Sequence, residues 1–232
     1  MKKNIILTML LSLALHLAAQ ERSCGPSEKP NDDRLSETLG HLIVRQLDQP
    51  GFAFNIDRVI QGMRDEREGK PAPLSEDEYE QIVNGLQEQH FLQTAEQNLV
   101  QANDFLQENA LKIGVQAIDP KLQYIVTQEG MGESIDADSV PLIHYKGQLI
   151  DGTIFASSEE ANQPVALPIK QSIPGFAKGL VGMKEGEKRV LYIHPELAYG
   201  LSGHLPPNSL LIFEVEIVKA NALPPDAVAQ AH

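Results

Sequence analysis

Apolar positions recur at helical spacing through the first half of the chain and alternate through the second. Leu35, Leu39, Leu42, Ile43 and Leu47 follow i, i+4, i+7, i+8 spacing and fall on one stripe of a helix that Pro50-Gly51 ends. Ile56, Val59, Ile60 and Met63 give a second, shorter stripe, closed by Gly69 and Pro71. A third helix starts at Ser75, which can cap it with Glu78 as its capping-box partner, while Leu74 and Tyr79 sit where a hydrophobic staple places its pair. No proline follows until past Ile113, and Val83, Leu86, His90, Ala95, Leu99, Ala102 and Leu106 mark an intermittent apolar face. A helix of that length, on the order of 55 Å at 1.5 Å per residue, cannot bury its face along two short helices. Its distal part is expected to be a spacer or to be covered by another chain. Three such helices make a poor core by themselves. Self-association of the two short stripes across two chains is the economical solution, and a small monomeric bundle docked on the second half is the alternative.

Beyond Asp119 the period changes. Leu122 to Gln128, Pro141 to Gly147 and Lys188 to His194 alternate. In Leu211 to Ile217, Phe213, Val215 and Ile217 face one way and Glu214 and Glu216 the other, the pattern of a strand with one buried face. A short helical stretch, Phe176 to Met183, lies between Gly175 and Gly186. Strands around a single short helix make an α+β domain.

Composition narrows the function. The 232 residues carry 19 Lys and Arg against 32 Asp and Glu, a net charge of −13, which disfavours nucleic-acid binding. The acidity is concentrated in the helical half. The single cysteine, Cys24, excludes an intrachain disulfide. Met1-Lys2-Lys3, the apolar run Ile5 to Ala19 and the small Ala18-Ala19 read as a secretory signal peptide over 1–20, which implies an exported protein of the bacterial periplasm, outer membrane or cell surface. Glu21-Arg22-Ser23 before Cys24 is a poor lipidation signal, so the cysteine reads as a free thiol on a flexible segment, 21–34. The helical domain and connecting helix then cover 35–119, the α+β domain 120–220 and a disordered tail 221–232.

Five segments of the second half resemble FKBP-type peptidyl-prolyl isomerase domains: Val140 to Phe155, Ile173-Pro174-Gly175-Phe176, Met183 to Glu187, Ala198-Tyr199-Gly200 and Pro206 to Val215. The helical half is similar to the N-terminal domain of the macrophage infectivity potentiator branch, whose members are exported bacterial dimers. The resemblance implies a twisted antiparallel sheet around a short helix, a homodimer formed through the helical domain, and a peptidyl-prolyl cis-trans isomerase acting on proline-containing polypeptides during folding of exported proteins. It implies a site in which Tyr145, Phe155, Phe176, Tyr199 and Phe213 act on the prolyl bond and Val165, Ile173, His204 and Leu205 contact substrate. Ile173 would offer its backbone N–H and Tyr199 its hydroxyl, and Phe176 would form the floor. A macrolide inhibitor would occupy the same site.

The chemistry suits these residue types. Turning a prolyl bond takes about 10–100 s uncatalysed and breaks no covalent bond, so it needs no nucleophile, metal or cofactor. A twisted amide is less dipolar than a planar one, so an apolar pocket favours it over the planar ground state. From composition alone the aromatics read as the core of a β domain; the five ordered motifs make them a pocket. Ala156 stands where the family commonly has an acidic residue, which implies reduced activity, Ser172 replaces a usual Val, and the loop from Gly200 to Pro206 is short. His144, His194 and His204 are scattered without metal-ligand spacing. Ser157-Ser158 lacks a nucleophile elbow, and no glycine-rich phosphate loop is present. Ala156 keeps open a non-catalytic peptide-binding chaperone on this scaffold, and the acidic helical half keeps open a surface adhesin.

Overall fold

The computed structural model describes residues 32–47, 53–158 and 163–222. The leader, Cys24, the Pro50-Gly51 stop and the tail beyond 222 lie outside the described residues. The chain divides into two compact units, one holding the first two helices and the other running from Ala72 onward.

In the first unit α1 spans Asp32–Leu47 and α2 spans Ile56–Arg67. Asn55 caps α2 by accepting the Arg58 N–H at 3.2 Å. Gly69, at φ 70°, takes the left-handed turn beyond its end. Neither helix contains a buried residue. The stripe side chains stay open: Leu39 is 57% exposed and Ile60 40%. Ile43, Val44, Leu47, Ile56, Ile60 and Met63 line an apolar groove of about 390 Å³.

The second unit opens with α3, Glu76–Asn109. The predicted capping box is present: the Glu78 N–H donates to Ser75 Oγ at 3.3 Å, and the Ser75 N–H donates to Glu78 Oε2 at 2.9 Å. The Ser75 N–H, and then its hydroxyl, hold the Glu78 carboxyl below its ordinary pKa. The helix stops short of Ile113, and the chain turns through Gly114 at φ 86°. Its distal part is not the bare spacer that was one expectation, because it docks within its own unit. Ala102 and Leu106 pack on Leu210 and Ile212 of the same unit, with Phe105, Val190 and Tyr192 at the margin. The apolar stripe changes sides along α3. At 3.6 residues per turn, Tyr79, Ile82 and Leu86 lie roughly opposite Ala95, Ala102 and Leu106.

Seven strands follow: β1 Val115–Asp119, β2 Leu122–Gln128, β3 Leu142–Gln148, β4 Ile154–Ser157, β5 Val165–Ala166, β6 Lys188–Ile193 and β7 Leu211–Lys219. They form one sheet in the order β1-β2-β6-β7-β3-β4, with β5 paired to β3 and every pairing antiparallel. β1, β4 and β5 show no clear alternation and are not legible by period alone. The short helix α4 is Pro174–Leu180, shifted from the predicted 176–183. Pro174 fits the first helical position, where its missing N–H costs nothing, and Gly182 at φ 84° ends the turn. α4 buries Phe176 and Leu180 on the inner face of the sheet against Leu191, Phe213 and Val215, while the distal part of α3 covers part of the outer face. The rest of that outer face is polar, with Lys146–Glu214 and Lys188–Glu216 ion pairs at 2.9 Å each.

Candidate active site

Phe213 stands at the centre of the inner face, registered between Gly147 of β3 and Leu191 of β6. Its ring meets Phe176 at 4.7 Å between centroids, Phe155 edge-on at 5.5 Å and Tyr145 at 6.5 Å. Tyr145 meets Phe176 at 6.5 Å, also edge to face. Such aromatic pairs contribute about 0.5–1.5 kcal/mol each beyond area burial. Four of the expected residues therefore form one cluster. Phe213 and Phe176 are buried, while Tyr145 and Phe155 are half-buried.

Two glycines make that cluster possible. A Cβ on Gly147 would lie 2.8 Å from both Phe155 Cζ and Phe213 Cε1, so only glycine lets the two rings meet there. A Cβ on Gly175 would lie 2.3 Å from Ile193 Cγ2, so this glycine lets α4 settle on β6 and carry Phe176 down to Phe213.

The other expected residues are spread around the cluster. Val165 pairs with Ile143 across β5 and β3 and is half-buried. Ile173 is the N-cap of α4 and packs on the core. Its N–H, outside the helical ladder, has no partner among the described residues. Leu205 packs against the same core. Tyr199, 46% exposed, and His204, also exposed, lie in the loop after the 3₁₀ turn Pro195–Leu197 and make no ring contact with the cluster among the described residues. His194 caps that turn: its Nδ1 accepts the Glu196 N–H at 3.2 Å. Burial, helped by Lys121 and opposed by Glu196, pushes the imidazole below its usual pKa, so it is held neutral. His144 lies on β3, half-buried, with Nδ1 3.4 Å from Ser158 Oγ.

Residues that the sequence did not assign to the site also build it. Ser158 is buried, and its Oγ accepts the Tyr145 N–H at 2.9 Å and faces the Tyr145 carbonyl at 3.3 Å, which fixes the end of β4 against β3. Arg189 and Glu187 form a buried ion pair with an N–O distance of 2.6 Å. Arg189 also donates to the Gly179 carbonyl at 2.8 Å, gripping the last turn of α4, and lies 4.2 Å from the Tyr124 ring centroid. Alternation places Arg189 on the face of Leu191 and Ile193, so an inward charge on β6 was the available signal. Ala156 pairs with Gly147 and offers no side-chain acceptor.

An edge-stacked aromatic cluster, with an Ile173 N–H unpartnered among the described residues packed against it, can desolvate a proline ring and hold a neighbouring carbonyl. Comparisons with known proteins agree with this reading. Residues 132–218 match the family of FKBP-type peptidyl-prolyl cis-trans isomerases, and residues 32–126 match the domain amino-terminal to such isomerases. The peptidyl-prolyl cis-trans isomerase Mip of Chlamydia trachomatis is 46% identical over 206 residues, 88% of this chain and 85% of that protein. The protein of the same name from Chlamydia pneumoniae is 48% identical over 205 residues, 88% of this chain and 80% of that one. The crystal structure of FkpA from Escherichia coli superposes with a TM-score of 0.65 at 30% identity, covering 83% of this chain and all of that one.

Proposed function

We propose that this chain, which belongs to the FKBP-type peptidyl-prolyl cis-trans isomerase family, turns prolyl bonds of exported polypeptides at the aromatic site around Phe213. It is a prolyl isomerase of the Mip and FkpA type, and its family binds proline-containing peptides. Tyr145, Phe155, Phe176 and Phe213 desolvate the proline ring and the amide, which favours the twisted, less dipolar geometry. The Ile173 N–H holds a substrate carbonyl, the Tyr199 hydroxyl supplies a second donor from the loop, and Val165, His204 and Leu205 line the approach. A macrolide inhibitor would bind over the same rings. The observation that carries this reading is the four-ring cluster with the Ile173 N–H, unpartnered among the described residues, packed beside it.

Catalysed isomerisation of a chromogenic Xaa-Pro peptide tests it. Tyr199→Phe removes one hydroxyl without emptying the site and lowers kcat/KM modestly. Ala156→Asp supplies an acceptor. A hydrogen bond to a charged group contributes about 1.5–3 kcal/mol, an upper limit of roughly ten- to hundredfold in rate, and solvent exposure reduces it to a several-fold gain. Flat rates for both variants would place the reaction elsewhere.

The open stripes of α1 and α2 support a homodimer through the first unit, since neither helix buries a residue within its own chain. Leu39→Asp and Ile60→Asp are expected to convert the leaderless protein to a monomer in sedimentation while leaving peptide turnover intact. A wild-type monomer at micromolar concentration would remove the dimer. The positively charged start and apolar run of 1–20 support export to the bacterial periplasm, outer membrane or cell surface.

A further inference from the structure

We infer that α3 positions the substrate-facing loop of the site through a reciprocal amide clasp, with Asn98 and Asn208 as positioning residues for isomerisation. Asn98, on α3, donates from Nδ2 to the Pro207 carbonyl at 2.8 Å. Asn208, beside that proline, donates from its own Nδ2 to the Ala95 carbonyl at 3.1 Å, back on α3. Each side chain thus satisfies a backbone carbonyl of the other element. The clasp sits one turn ahead of the apolar contact of Ala102 and Leu106 with Leu210 and Ile212, so it extends the docked face of the helix towards the loop.

The clasp reaches the loop through one further bond. The Asn208 N–H donates to the Gly200 carbonyl at 2.7 Å, next to Tyr199. Asn208 holds φ at 53°, the sole positive φ of a non-glycine residue among the described residues, and asparagine is one of the few side chains that tolerate that conformation. The loop has little packing of its own. Leu205 packs on the core, whereas Tyr199, Leu201, Ser202, Gly203 and His204 are exposed. Gly203, at φ 106°, adds no side chain to anchor it. The contact running from Ala95 and Asn98 through Pro207 and Asn208 to Gly200 therefore sets where Tyr199 and Leu205 stand relative to the ring cluster. Loop placement matters because a loop that holds its binding-competent position only part of the time weakens substrate binding by that fraction.

This inference rests on the assignment of the loop to the substrate site, and the experiment separates the two. In the full chain, Asn98→Ala removes one donor, and Asn208→Gly removes the other while keeping the left-handed backbone accessible. Each is expected to lower kcat/KM for the chromogenic Xaa-Pro peptide about three- to tenfold, mainly by raising KM. The double variant should fall well short of the product of the two, because both remove one contact. Gln101→Ala, an exposed change one turn further along the same helix, leaves turnover at the wild-type value. All rates are measured at a temperature where circular dichroism shows each variant folded. Leu205→Ala reports on the loop itself. Lowered activity in Leu205→Ala with unchanged kcat and KM in both asparagine variants overturns the clasp and leaves the site standing, whatever their melting temperatures. Unchanged activity in Leu205→Ala overturns the loop assignment and the clasp with it. A loss confined to kcat, or one shared by Gln101→Ala, also overturns the positioning role.

Discussion

Replacing Phe213 with alanine is expected to lower kcat/KM for a Xaa-Pro peptide about ten- to hundredfold, a loss of roughly 1.4–2.7 kcal/mol in transition-state stabilisation. The same change is expected to cost about 3–5 kcal/mol of folding stability, the usual range for emptying a buried phenylalanine site. Both effects have one origin. Phe213 is 6% exposed and is the ring that Tyr145, Phe155 and Phe176 all touch. Removing it opens a cavity under the surface on which the proline ring would rest, and water that enters there restores the solvation that favours the planar amide. Phe213→Leu separates the two effects. Leucine fills most of the volume, so the stability loss should shrink below that of alanine, while the edge-to-face contacts vanish and turnover still falls. Urea denaturation and peptide turnover on the same samples decide it. Full activity in both variants would mean that the cluster is core alone and that the reaction occurs elsewhere.

Local chemistry was readable from the sequence, and chemistry that depends on distant partners was not. Ser75 and Glu78 are three residues apart, so their reciprocal bonds follow from spacing. The alternation of β7 likewise separates Phe213, Val215 and Ile217 from Glu214 and Glu216 without outside help. It does not show that Ile212, on the same side as Glu214, is 8% exposed because α3 lies over it. Nor could the intermittent apolar face of α3, read as one stripe, show that its distal end docks on the sheet. In the site, the four rings were found through ordered motifs rather than period. Gly147 reads as punctuation in a linear pattern, and its importance emerges only when Phe155 and Phe213 are seen to close on its missing Cβ. Ser158 is legible as a polar residue after a strand, yet its bonds go to Tyr145, thirteen positions earlier. Tyr199 came from the same motifs and His204 from the loop between two of them, and the fold leaves both exposed on a loop whose placement depends on contacts with α3.

Arg189→Met is expected to destabilise the second unit by about 3–5 kcal/mol, because it strands a carboxylate that the fold has removed from water. Glu187 is 4% exposed and Arg189 8%. The Glu187 carboxylate takes the guanidinium at Nε, 2.9 Å, and at a terminal nitrogen, 2.6 Å, and also accepts the Lys184 N–H at 3.1 Å. Losing Arg189 leaves the Lys184 N–H as the remaining partner of that charge among the described residues and frees the Gly179 carbonyl at the end of α4. Since α4 carries Ile173 and Phe176 at its other end, the variant should also raise KM for the peptide. The carboxylate, not the lost methylene packing, is the source of the cost, and a second change tests this. Glu187→Leu combined with Arg189→Met removes both charges together, and an apolar pair of similar volume is often as stable as the ion pair it replaces. The double variant should therefore recover most of the stability lost in Arg189→Met, giving a coupling energy of at least about 2 kcal/mol between the two positions. Urea denaturation of the four proteins in the cycle measures it. Additive costs for the two substitutions would show that Arg189 acts through Tyr124 and Gly179 alone, with the buried charge of Glu187 playing no part.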